Sequence, residues 1–366
     1  MTLKTSLAFF LICIIIGNAD AQKNKNKNPE NLTGVGKQWS VEKANAWYAD
    51  HSWIIGADYI PSNAINQLEM WQAQTFDSAI NDKELGWAEN IGFNTMRVFL
   101  HSVAWKQDKD GFKKRINTFL NIAGKHNIQI MFVFFDDVWN KVPQPGTQPA
   151  PKPGIHNSGW MQDPGQPLSA DSANFPQLEV YVKDVLTTFA HDKRILLWDL
   201  YNEPGNSGKR DTSLSLLTKI FQWARSVNPD QPLSAGIWAW DFEKLNAFQI
   251  ANSDIVTYHD YEEAPWHQRV IQLLKSIGRP LICTEYMART RNSRFSTVLP
   301  LLKKENVGAI NWGLVAGKAQ TFLPWDSWEH PYTDREPAIW FHEIFRTDGQ
   351  PYRKEETELI RQLTKS

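Results

Sequence analysis

Two rhythms alternate along this chain. Short, almost unbroken apolar runs recur at Trp53–Asp58, Thr95–Leu100, Gln129–Phe135, Ile195–Tyr201, Pro232–Ile237, Asp254–His259, Pro280–Thr284 and Ala309–Trp312. Between them, apolar residues return every three or four positions, as at Leu178, Val182, Val185 and Phe189. Leu217, Ile220, Phe221, Ala224 and Val227 repeat the pattern, as do Val270, Leu273, Leu274 and Ile277. The first rhythm predicts strands and the second amphipathic helices. Gly124 to Asn127, Asn228-Pro229-Asp230 and Gly278-Arg279-Pro280 supply the turns that end helices. Met131-Phe132-Val133-Phe134-Phe135 has no polar alternation, as expected of a strand buried on both faces.

Eight strand-helix units predict an α/β fold, a (β/α)8 TIM barrel forming one catalytic domain over residues 43–366. A doubly wound open sheet would place a glycine-rich turn after its first strand. The chain has Tyr59-Ile60-Pro61-Ser62-Asn63 there. Segments after strands are long and aromatic, notably 138–174 with Pro143, Pro145, Pro149, Pro151 and Pro153 plus Trp139 and Trp160, and 313–335 with Trp325 and Trp328. In a barrel such loops gather at one end, where active sites form. Lys318, Gln320, Asp326 and Glu329 are candidate polar contacts in the second of them.

Composition narrows the partners. A net charge of −1 with 22% charged residues argues against nucleic acid or an anionic membrane. Seventeen tryptophans stand out, and flat rings bearing one N–H suit stacking on sugars. Lys4, the apolar run Leu7–Ile16 and Ala19-Asp20-Ala21 read as a signal peptide over residues 1–21. Residues 22–42, where lysines alternate with asparagines, read as a flexible leader. An exported protein, periplasmic or extracellular after cleavage near Ala21, is therefore expected. Only Cys283 would remain, which precludes an intramolecular disulfide. We expect a monomer without cofactor, metal or membrane-inserted segment, acting on carbohydrate.

The chemistry concentrates where strands end. Glu203 closes Ile195–Tyr201 after Asn202, and Glu285 closes Pro280–Thr284. Two facing carboxylates are the minimum apparatus for cleaving a glycosidic bond. Glu203 suits the acid, having an apolar strand before it and no cation beside it in sequence. Glu285 suits the nucleophile, with Arg97 to hold it ionised and Tyr261 to donate to it. Asn202, His259 and Trp312, also at strand ends, are candidate substrate contacts, Trp312 as a stacking floor. The scattered histidines, with His342-Glu343 lacking a second histidine one helical turn on, offer no zinc helix. Gly205-Asn206-Ser207-Gly208 lacks the spacing of a serine-hydrolase elbow. A barrel that grips glycans without cutting them is the alternative.

The same residues resemble those of the clan A glycoside hydrolases. Trp198 to Pro204 matches the strand 4 segment ending Asn-Glu-Pro, Asn94-Thr95-Met96-Arg97 the strand 2 segment, and His259-Asp260-Tyr261 the strand 6 His-x-Tyr. Glu285 and Trp312 match the strand 7 nucleophile and the strand 8 tryptophan. The chain looks closest to the cellulase-like family 5. That resemblance implies cellulase-, mannanase- or xylanase-like cleavage of β-linked glycans with retention, by carboxyl groups about 5–5.5 Å apart. Two positions differ: Met287 stands where a glycine is frequent, and Asp136-Asp137 where a histidine is common.

Overall fold

The computed structural model describes residues 37–365. The signal-peptide reading and most of the expected leader lie outside the described residues. Eight parallel strands are present: β1 (Ile55–Asp58), β2 (Thr95–Phe99), β3 (Gln129–Asp136), β4 (Ile195–Asn202), β5 (Leu233–Ser234), β6 (Val256–His259), β7 (Leu281–Glu285) and β8 (Gly308–Trp312). Around them run α1 (Val41–Ala49), α2 (Gln67–Trp71), α3 (Ser78–Asn90), α4 (Ser102–Gln107), α5 (Lys109–Lys125) and α6 (Gln166–Ser169). The ring of helices continues with α7 (Phe175–Phe189), α8 (Leu214–Val227), α9 (Glu243–Asn252), α10 (Ala264–Lys275), α11 (Phe295–Lys304) and α12 (Lys354–Lys365).

The ladder runs β5-β4-β3-β2-β1-β8-β7-β6, so β1 pairs with β8 and the fold is the expected TIM barrel. Gly56 permits the tight β1–β2 approach, since a Cβ there would lie 1.6 Å from the Thr95 carbonyl oxygen. The seam between β5 and β6 is thin. The strand expected to reach Ile237 pairs only through Ser234, because side chains of α9 and its cap take its backbone groups. Gln249 donates to the Gly236 carbonyl (2.5 Å), and Ser253 accepts from the Ala235 N–H (3.2 Å). Ile237 then rejoins the ring, donating to Thr257 O (3.0 Å) and accepting from His259 N (2.8 Å).

Helix faces follow the sequence periodicity. Leu178, Val182, Val185 and Phe189 of α7 are all buried, and Asn228 ends α8 in the left-handed region at φ 57°. α1 starts at Ser40, which caps it, so the boundary expected at residue 43 falls inside this element. It lays Ala44 and Tyr48 against Ile54, Met131, Leu197, Ile255, Ile282 and Ile310. Each such apolar side chain contributes about 1.5–3 kcal/mol on burial. That cluster plugs the amino-terminal end of the barrel, which leaves the carboxyl ends of the strands open. Among the described residues no helix is long and apolar enough to cross a membrane.

Candidate active site

Glu203 and Glu285 meet across this open end. An oxygen of each, together with a ring nitrogen of His259, all lie within 4.8 Å of one another. A register shift between β6 and β7 sets His259 opposite Glu285, and its Nδ1 lies 2.9 Å from Glu203 Oε1 and 3.4 Å from Glu285 Oε2. Burial lowers the His259 pKa to about 4, so a neutral ring bridges the two acids. Glu203 has φ 45°, a left-handed conformation costing about 1–2 kcal/mol for a non-glycine residue. Asp137 fastens that turn, accepting from the Gly205 N–H (2.9 Å) and the Ser213 hydroxyl (2.5 Å). Such strain, held by its surroundings, marks sites where side-chain placement matters.

The two carboxyls differ in company. Glu203 accepts only from neutral groups, Asn206 Nδ2 at 2.5 Å and the His259 ring, and burial raises its pKa to about 7. Its side chain keeps 13% of its surface accessible. Burial raises Glu285 too, as does Glu203 beside it, while His259, Arg97 and Tyr261 pull it down. Tyr261 donates to Glu285 Oε2 (2.7 Å), and Arg97 Nη1 to its Oε1 (3.0 Å). A single proton shared by the pair therefore favours Glu203.

Arg97 is fully buried and is the hub of the site. Its guanidinium donates to Asp58 (2.7 Å), Asp199 (3.0 and 2.8 Å), Glu285 (3.0 Å) and Asn202 Oδ1 (2.7 Å). One cation among three carboxylates leaves excess negative charge. Burial pushes the Asp58 carboxyl well above its usual range despite Arg97, which relieves that excess. Asn202 in turn donates to Asp136 (3.0 Å), which also accepts from the Trp160 indole (2.6 Å). The Glu203–His259–Glu285 trio is compact enough to hold a cation, but the guanidinium beside it already supplies positive charge.

A cleft of about 570 Å³ surrounds the pair, and seven of the 17 tryptophans line it. Trp312 forms part of its floor, edge-on to Phe99 and Trp160. Behind Trp312 lies Glu343, buried, with one oxygen taking the Thr321 hydroxyl and the other unpartnered. Burial raises its pKa from an ordinary 4.5 to about 8. The folded state therefore holds a proton that the unfolded chain releases between those values, and stability falls as pH rises through that window. In Glu343→Gln this dependence should vanish. Urea unfolding at pH 5 and pH 8 should show the wild type losing a few kcal/mol relative to the variant. A difference that does not change with pH would refute the assignment.

The sequence model of one family, described as Cellulase (glycosyl hydrolase family 5), matches residues 60–318. The chain belongs to glycosyl hydrolase family 5. Its barrel is similar to an endo-β-1,4-mannanase from Thermotoga petrophila at 15% identity and TM-score 0.55, covering 86% of this chain and 76% of that one. GH5_18 from Streptomyces cattleya in complex with GlcNAc gives 12%, 0.60, 86% and 80%. The exo-β-1,4-mannosidase Op5Man5 from Opitutaceae bacterium strain TAV5 gives 15%, 0.59, 86% and 59%. At these identities the likeness is one of fold. No curated protein matches the sequence.

Within family 5, the two departures in sequence have local explanations. Met287 takes φ 74°, the left-handed conformation that makes glycine the easier residue there. It is held by Ser293, whose hydroxyl accepts from its N–H (3.2 Å), and its carbonyl takes His342 Nδ1 (2.6 Å). Asp136 and Asp137 replace a histidine with two acids that position Asn202 and the Glu203 turn. Lys318 pairs with Glu69, Gln320 binds backbone carbonyls of Lys152 and Ile155, and Asp326 accepts from Tyr332. None of these, nor Glu329, lines the cleft. Sequence reasoning passed over Asn206, Asp58 and Asp199 as site residues, and marked Asp136 only as a departure from the family pattern. Asp58 and Asp136 end strands, and Asp199 is an acid inside an apolar one, so each carried a readable signal.

Proposed function

We propose that this family 5 protein is a metal-independent retaining glycosidase of β-linked glycans. Glu285 acts as nucleophile and Glu203 as acid/base. The observation that carries this reading is the approach of one oxygen of each carboxylate to within 4.8 Å, with His259 Nδ1 2.9 Å from Glu203 Oε1 and 3.4 Å from Glu285 Oε2. Inverting enzymes need about 6.5–9.5 Å between their carboxyl groups to admit a water molecule. In the first step a Glu285 oxygen attacks the anomeric carbon while Glu203 gives its proton to the glycosidic oxygen. The bond to the leaving sugar breaks and a glycosyl ester forms. In the second step Glu203, now a carboxylate, takes a proton from water. The water oxygen bonds to the same carbon and the ester is released. Arg97 and Tyr261 steady Glu285 as its charge is consumed and returned. Asn202 donates to a sugar hydroxyl, and Trp312 supplies the stacking floor.

The acid's pKa sets the alkaline limit. With Glu203 near 7, kcat/KM should halve near that pH and fall tenfold per unit above it. Glu203→Ala should cost about 10²–10⁴-fold on substrates with poor leaving groups. It should cost far less on 2,4-dinitrophenyl glycosides, lose the alkaline limb, and yield a β-glycosyl azide when azide is added. Unchanged kinetics in this variant would overturn the role. A panel of β-manno-, β-gluco- and β-xylo-configured glycans, watched for new reducing ends, separates an enzyme from a barrel that merely binds sugar.

A further inference from the structure

The loops after β3 and β8 are joined into one wall. Asn157 N donates to Ala319 O (2.8 Å), His156 N to Ser327 Oγ (2.9 Å), Gln320 Nε2 to Lys152 O (2.8 Å), and Tyr332 N to Gly154 O (2.9 Å). Trp139 stacks on Trp328 with centroids 5.1 Å apart and planes 18° from parallel. β3 and β8 are separated on the ring by β2 and β1, so this wall passes over the ends of both. It is also tied down from below. Asn66 and Gln67, after β1, donate to Gly159 O (2.9 Å) and Met161 O (3.0 Å), and Lys318 N donates to Ser62 O (2.9 Å).

The rim continues past β8. Trp325 meets Tyr261 edge-on at 5.4 Å, and Arg291 bridges from it to Glu262. The opposite side differs. Among the described residues no hydrogen bond joins 238–242, after β5, to 260–266, after β6. Trp238 and Trp240 stand half-buried there and line the cleft, the Trp238 indole donating to Pro204 O (3.0 Å), next to Glu203.

We infer that the protein attacks chains from the non-reducing end and releases one sugar per cut. This rests on the proposed roles of Glu203 and Glu285. The acid faces the departing portion of the substrate, so the side next to Glu203 must admit the rest of the chain, and that is the side with the gap. The sugar that bonds to Glu285 sits over Trp312, against the wall. A chain continuing beyond that sugar would meet the joined loops. The substrate class is therefore a β-linked saccharide with a free non-reducing end, its leaving portion passing over Trp238 and Trp240.

The test uses β-1,4-linked hexasaccharides of manno, gluco and xylo configuration, fluorescently tagged at the reducing end, with 4-nitrophenyl β-monoglycosides alongside. Early time points should show the tagged chain shortened by one unit at a time, with monosaccharide as the untagged product. Capping the terminal sugar as its 4,6-benzylidene acetal, in the hexoses that allow it, should slow cleavage at least ~100-fold. Tagged di- or trisaccharide from the first minutes, or equal rates with and without the cap, would overturn end-wise action. The glycosidase reading would survive that result. Inertness towards every monoglycoside and hexasaccharide would instead remove both.

Discussion

Glu285→Gln is expected to fold normally and to lose turnover by at least ~10⁴-fold, about 5.4 kcal/mol of transition-state stabilisation. The fold tolerates the change because an amide can meet both of the carboxylate's partners. Its oxygen can accept from Arg97 Nη1, now 3.0 Å from Glu285 Oε1, and the Tyr261 hydroxyl can rotate to accept from its NH₂. What the amide lacks is the charge that attacks carbon. Among the described residues no nearby acid replaces it: Glu203 is held by Asn206 and His259 and serves the leaving group in the proposed mechanism, and Asp58 and Asp199 are held by Arg97. The loss should be the same for good and poor leaving groups, because it removes bond formation and not proton donation. Thermal unfolding and kcat/KM on an activated aryl glycoside check both halves. Activity within tenfold of wild type would remove Glu285 from the reaction.

Arg97→Met is expected to damage the fold itself. The guanidinium is fully buried and, among the described residues, is the only cation bonded to Asp58 and Asp199. Each of those acids already has one oxygen without a partner. Deleting one member of a buried ion pair costs about 3–5 kcal/mol, and here Asp199 and Glu285 lose their cation while Asp58 and Asn202 lose their donor. Such a loss is comparable with the whole stability of many domains, so soluble yield should collapse at neutral pH. Arg97→Lys separates charge from shape. It keeps the cation but cannot span four acceptors from one ammonium. The lysine variant should fold with a lowered Tm and lose roughly 10²-fold or more in kcat/KM, as Asn202 and Glu285 lose their fixed positions. A methionine variant as stable as wild type would show that the hub does not hold the strand ends together.

How much of this was readable beforehand depended on range. Strands such as β3 announced themselves because Met131–Phe135 is buried on both faces and reads as a short, aromatic-rich apolar run bounded by turn signals. Glu203, Glu285, His259 and Trp312 followed from one local rule, that a polar or aromatic residue at a strand's carboxyl end faces the mouth of the barrel. The short pairing of β5 did not follow, because Gln249 and Ser253 reach it from a helix and its cap. Nor did the wall between the β3 and β8 loops, which is built largely of backbone groups that carry no residue signature. The role of Asp137 was equally hidden, since its partners Gly205 and Ser213 lie some seventy positions away.

The most direct measurement traps the ester. A 2-deoxy-2-fluoro-β-glycosyl fluoride slows both steps by destabilising positive charge at the anomeric carbon, while its fluoride leaving group restores the first step. Incubation followed by mass spectrometry of the digested protein should find one fluoroglycosyl unit per chain, on the peptide that carries Glu285. An enzyme that hydrolyses β-glycosides yet takes the label on another residue, or takes none, would contradict the account.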